Sequence, residues 1–186
     1  DYPDHIWKDK PQHQSDMFSV ALIKKYGGIW MDANIIMQHS IDFIVEKDWF
    51  GYCNNTNFEI FLFASTKNSY AITTIHTLFF KIFSLSNIER THILEHTYNI
   101  SDSYLYPQQL ITYLYNNNKQ IKLTIDNNSI NQWESIYILI MYLSKIYKVQ
   151  TKNKIFKTLL NLNDSIPDII LKEPLLKLQG SAQQGE

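Results

Sequence analysis

Asp32 and Asn34, two residues apart, hold the side-chain oxygens in this chain best spaced for metal or phosphate chemistry. They belong to the segment Asp32-Ala33-Asn34, which follows the apolar run Ile29-Trp30-Met31. That run reads as a short buried strand. In open α/β sheets, ligands bind beyond the carboxyl ends of strands, so a carboxylate at that point faces a site. A carboxylate and an amide oxygen at this spacing can converge on one hard divalent cation. Mg2+ takes one or two such protein ligands and completes its shell with substrate phosphates. The same acid/amide pairs also mark ordinary turns, so the spacing acquires meaning only from its surroundings.

A second constellation is His92-Ile93-Leu94-Glu95-His96, which spells H-x-x-E-H. On a helix, histidines at i and i+4 share a face and can hold Zn2+, with Glu95 as general base. A third ligand is then required, and Glu173 is the downstream candidate. The competing reading is a solvated helix or loop carrying two surface histidines. His5, His13, His39 and His76 are isolated in the sequence and read as structural or exposed.

The elements that must position Asp32 are legible upstream of it. Ser15 reads as an N-cap, with Asp16 in the first turn where the helix dipole favours negative charge. Met17, Val20 and Ala21, together with Phe18 and Leu22, give helical apolar spacing, and Lys24 and Lys25 fall in the last turn. Gly27-Gly28 then stops the helix. The order is helix, Gly-Gly, strand, acid. Downstream, Ile35–Met37 and Ile41–Val45 read as extended, Phe58–Ala64 as a strand, and Tyr70–Leu85 as a buried helix. A helix from Gln108 to Tyr115 follows Pro107, Ile121–Ile125 reads as a short strand, and Trp133–Val149 as a second apolar helix.

The stretch from Ser15-Asp16 through Lys25-Tyr26-Gly27-Gly28-Ile29-Trp30-Met31-Asp32-Ala33-Asn34 resembles the bacterial capsular polysaccharide synthesis proteins. These are similar to the wider group of glycosyltransferases with a DXD-containing sugar-binding region. Their pattern runs S-D-x-x-R, several apolar residues, then Y-G-G-[IV]-[YW]-x-D-x-[DTN]. The resemblance is dense over about twenty residues, and Pro174–Leu178 looks like the family's closing segment. It implies an α/β, GT-A-like nucleotide-sugar-binding fold, a Rossmann-like sheet flanked by helices, over residues 1–178. The domain is expected to lack its N-terminal strand, with residues 179–186 as a disordered tail.

The resemblance further implies a nucleotide-sugar donor, a saccharide or lipid-linked acceptor, and Mn2+ or Mg2+ as cofactor. Carried over position by position, Asp32 matches the first acid of the DXD motif and is the expected catalytic residue. Asp32 and Asn34 are the expected metal ligands, and Ser15, Asp16, Trp30 and Asp32 the expected donor-binding residues. The family's arginine falls on Ser19, which can neither pair with a phosphate nor fork around a carboxylate. Restoring an arginine there is expected to tighten donor binding by about 1–2 kcal/mol. The alternative reading is a non-catalytic sugar- or nucleotide-binding remnant of the same fold.

Composition narrows the classes. Hydrophobic residues make up 45% of the chain and charged residues 19%, which excludes a disordered chain. Seventeen basic against eighteen acidic residues leave a net charge of −1, against the basic excess that nucleic-acid binding requires. A lone cysteine, Cys53, excludes a disulfide framework and fits a reducing compartment. The expected location is therefore the cytoplasm. The longest apolar run, Ile136–Leu143, is far short of the ~20 residues that span a bilayer. Its alternative to core is a face resting on the inner membrane, where lipid-linked acceptors reside. The oligomeric state is left open.

Overall fold

The computed structural model describes residues 10–33, 35–37, 39–44, 47–48, 50–54, 57–101, 104–128 and 175–177. Helix α1 spans Pro11–Tyr26 and leads through Gly27 into β1, Gly28–Met31. Strand β2, Ile35–Met37, is followed by a 3-10 turn at Asp42–Ile44, then by β3, Phe50–Asn54, and β4, Asn57–Ser65. Four helices come next: α2 (Tyr70–Phe83), α3 (Asn87–Tyr98), α4 (Tyr106–Asn117) and α5 (Lys119–Asn128). Strand β5 covers Leu175–Lys177. The class is mixed α/β, as expected. The Trp133–Val149 helix and the 179–186 tail lie outside the described residues.

The chain divides into two units. The first comprises residues 1–30 and 44–131, and the second residues 31–43 and 132–186. The first unit holds a three-stranded sheet in the order β1-β4-β3, with β3 and β4 antiparallel. Residues 60–65 of β4 are buried without interruption. A central strand covered on both faces needs such a run, in place of the alternation of a half-solvated strand. α1 faces this core with Met17, Val20 and Ile23, and α2 with Ile72, Ile75, Phe79, Ile82 and Phe83. These spacings of three and four residues form one helical stripe. Leu110 and Ile111 of α4 and Ile121 and Ile125 of α5 complete the cluster.

Helix starts carry local caps. The Ser69 hydroxyl accepts from the Ile72 N–H at the head of α2. Ser86 and Glu89 form a reciprocal capping box at the head of α3. The second unit contains β2 and β5, antiparallel, with Ile35 opposite Lys177 and Met37 opposite Leu175. Leu175–Lys177 thus supplies a strand partner for Ile35–Met37.

Three expectations are corrected. Ile121–Ile125 is helical, because Ile121 and Ile125 are buried four residues apart while Leu123 between them is 52% exposed. The Ile41–Val45 segment closes into a 3-10 turn at Asp42–Ile44, started by the Ser40 hydroxyl accepting from the Asp42 N–H. Helix α1 begins at Pro11, not at Ser15. Proline's fixed φ and missing N–H suit the first helical position, and Lys10 precedes it as N-cap without a side-chain bond.

Candidate functional site

β1 ends at Met31, and Asp32 opens a tight turn in which the Ile35 N–H donates to the Asp32 carbonyl at 3.1 Å. The expected strand-end carboxylate is therefore present, half-buried, at the point where the backbone reverses toward β2. Asn34 lies outside the described residues. Among the described residues there is no group of three or more His, Cys, Asp or Glu able to enclose a metal ion. One carboxylate at a turn fits a hard cation that takes most of its shell from water and substrate phosphate, and does not fit an all-protein cage.

Trp30 is half-buried and packs against the hydrophobic core of the first unit. Its ring therefore has a packing role whatever else it touches. Ser15 is exposed and Asp16 half-buried, both a full turn inside α1, so Ser15 is not an N-cap. The first turn of α1 contains no acidic residue. Dipole compensation fades beyond that turn, so it does not explain Asp16.

Ser19 is completely buried, and its hydroxyl donates to the Asp16 carbonyl at 2.9 Å. The arginine that the resemblance puts at this position would have to enter a packed interior. The expected gain in donor affinity from Ser19→Arg is withdrawn on that ground. Asp16 and Ser19 belong to the first unit and Asp32 to the second.

The entry to β1 has an architecture that sequence reasoning saw only in part. Gly27 has φ 72° and Gly28 φ 102°, conformations that side-chain-bearing residues resist. The Gly27 N–H donates to the Ile23 carbonyl at 2.7 Å, closing the helix. A Cβ on Gly27 would stand 2.8 Å from the Lys67 backbone nitrogen, so the β4–α2 loop approaches closely. In the same loop the Asn68 N–H donates to the Lys24 carbonyl at 3.1 Å. Beside this junction lies a pocket of about 460 Å3, bordered by Tyr26, Gly28, Lys47, Thr66 and Lys67. Gly27-Gly28 signalled a helix stop, but nothing in the local sequence signalled a partner forty residues away.

The H-x-x-E-H segment lies on α3. The His92 and His96 rings stack on its exposed face with centroids 4.3 Å apart, and the His96 Nδ1 lies 2.9 Å from the His92 carbonyl oxygen. A catalytic zinc needs three protein ligands. The described residues supply no such group, and Glu173 lies outside them. The solvated-helix reading is the one this geometry supports. His13 is a buried structural histidine, its Nε2 3.1 Å from the Tyr104 carbonyl oxygen. His76 stacks on Phe80, with Lys24 Nζ 3.1 Å from its Nδ1. Burial, and then the Lys24 ammonium, hold its pKa below the ordinary 6.5.

The described residues form a mixed α/β protein with a helix, Gly-Gly, strand and strand-end carboxylate in that order. Residues 3–164 match the capsular polysaccharide synthesis protein family, and the chain belongs to it. No curated protein and no solved structure matches the chain. Among the described residues, no helix is long and apolar enough to cross a membrane.

Proposed function

We propose that the chain is a metal-dependent glycosyltransferase of GT-A type, acting in capsular or surface polysaccharide synthesis. It would transfer a sugar from a nucleotide-diphosphate donor to a saccharide or lipid-linked acceptor. The observation that carries this reading is the carboxylate of Asp32 immediately after β1, in a chain of the capsular polysaccharide synthesis family. In the reaction, the bond from the anomeric carbon to the diphosphate oxygen breaks. The acceptor hydroxyl oxygen bonds to that carbon, and its proton leaves to solvent or a base.

Asp32 carries the only formal charge of its motif and, with Asn34, would hold Mn2+ or Mg2+. When bound, that ion neutralises charge developing on the departing diphosphate. Trp30, Asp16 and Ser15 are assigned to the donor as the further positions of the motif. With one charged ligand, the protein alone should hold metal weakly, and added nucleotide diphosphate should raise its metal affinity.

The second reading, a non-catalytic binding remnant, is favoured by one observation: the family's arginine position holds the buried Ser19. A panel of nucleotide-diphosphate sugars incubated with the chain, with and without Mn2+, separates the two. Metal-dependent release of nucleotide diphosphate supports the transferase. Donor binding without release over extended incubation supports the remnant.

A further inference from the structure

The pocket at the entry to β1 lies wholly within the first unit and is lined in part by Tyr26-Gly27-Gly28-Ile29 of the motif. None of the expected donor residues Ser15, Asp16, Trp30 and Asp32 borders it. Its volume of about 460 Å3 lies within the range of small-molecule sites. Among the described residues its border includes two lysines, Lys47 and Lys67, and no acidic residue. Neither lysine has an ion-pair partner among the described residues. A third ammonium is close, because Lys25 Nζ stands 5.1 Å from the ring centroid of Tyr26, itself 65% exposed at the pocket's edge.

Positive charges gathered around one concavity repel one another unless an anion enters. The opposing influences are Asp48, whose carbonyl accepts from the border residue Ser65, and the C-terminal end of α1, worth about half a negative charge. Two of the last α1 carbonyls, those of Ile23 and Lys24, already accept from Gly27 and Asn68. Lys25, Lys47 and Lys67 together outweigh the two. Gly28 adds no side chain, and a Cβ there would meet no atom within 4 Å, so the backbone is open to a ligand at this edge. Tyr26 offers an exposed aromatic face of the kind that packs on the apolar side of a sugar ring.

We propose that this pocket binds an anionic saccharide, with Lys47 and Lys67 holding its phosphate or carboxylate and Tyr26 its ring. The site goes beyond the donor reading and does not depend on it. It would let the chain hold a charged glycan without using Asp32.

The test is calorimetric titration of the 186-residue chain with inorganic pyrophosphate, a glucuronic-acid-containing disaccharide, and neutral maltose. At least one anion should bind, more weakly as salt rises, and maltose should not. Lys47→Gln with Lys67→Gln should weaken anion binding by about tenfold or more. Lys47→Arg with Lys67→Arg should retain it, since the charge is kept. Asp32→Ala should leave it unchanged. Preference for pyrophosphate assigns a phosphate-bearing sugar, and preference for the acidic disaccharide assigns a carboxylate-bearing one. The proposal is overturned if neither anion binds, if the glutamine pair binds as the unaltered chain does, or if Asp32→Ala removes the binding. None of these outcomes requires donor turnover, so this site and the transferase reading can fail separately.

Discussion

At the entry to β1, Gly27 is constrained by a φ of 72°, by its N–H bonded to Ile23, and by the Lys67 backbone lying where a Cβ would go. At the exit, Asp32 opens a turn closed by the Ile35 N–H and keeps a half-buried side chain outside the hydrophobic core. One end is determined by the backbone and tolerates no side chain. The other is a turn at which Asp32 also makes contacts of its own. Backbone space limits substitution at Gly27, and side-chain chemistry limits it at Asp32.

Several substitutions would break or sharpen this contrast. The largest loss is expected inside α1, which delivers the chain to Gly27. Ser19→Arg should cost about 4 kcal/mol in denaturant unfolding, since a charged, larger side chain must enter a packed interior. A variant as stable as the parent would show that the interior opens there and would revive Ser19 as a donor position. Gly27→Ala should cost about 2–4 kcal/mol, combining left-handed strain with a backbone contact that has to shift. Gly28→Ala meets no neighbour and should cost only the conformational part, about 1–2 kcal/mol. Equal losses for the two glycines would mean that the Lys67 approach contributes nothing.

A smaller effect belongs to His76, beside Lys24 in the last turn of α1. Its native pKa is depressed, so the unfolded chain takes up a proton first as pH falls. This contribution to stability is full above pH 6.5 and is lost as pH drops from there toward the native value. Lys24→Met should raise the His76 pKa in an NMR titration without restoring it, because burial is the larger cause. Smallest of all, Asp32→Asn, which keeps the shape and one oxygen acceptor, should cost no more than about 1 kcal/mol.

Legibility in the sequence followed the range of each interaction. Gly27-Gly28, the β1 run and the placing of Asp32 at its end depend on neighbours within a few residues, and all three were legible, although Ile29–Met31 is half-buried where a buried strand is expected. The α2 helix was equally plain, since its apolar stripe repeats for four turns. The start of α1 was misread because Ser15-Asp16 resembles a cap, whereas Pro11 one turn earlier does the work. Ile121, Leu123 and Ile125 satisfy a two-residue period as well as a four-residue one, and only tertiary packing exposes Leu123. β3 went unseen because its identity comes from pairing with β4, with Gly51 opposite Phe63 and Asn54 opposite Asn57. The Lys47–Lys67 pocket joins residues twenty apart through the fold and has no local signature.

The central claim is that Asp32 is present for chemistry. The most direct measurement compares donor turnover by the unaltered chain and Asp32→Ala, with Mn2+ and with chelator, alongside their unfolding midpoints. The account predicts metal-dependent release of nucleotide diphosphate from a nucleotide sugar by the unaltered chain. Asp32→Ala is expected to lose about a hundredfold or more of that turnover while still unfolding cooperatively. Metal-dependent turnover that survives in a folded Asp32→Ala variant would contradict it.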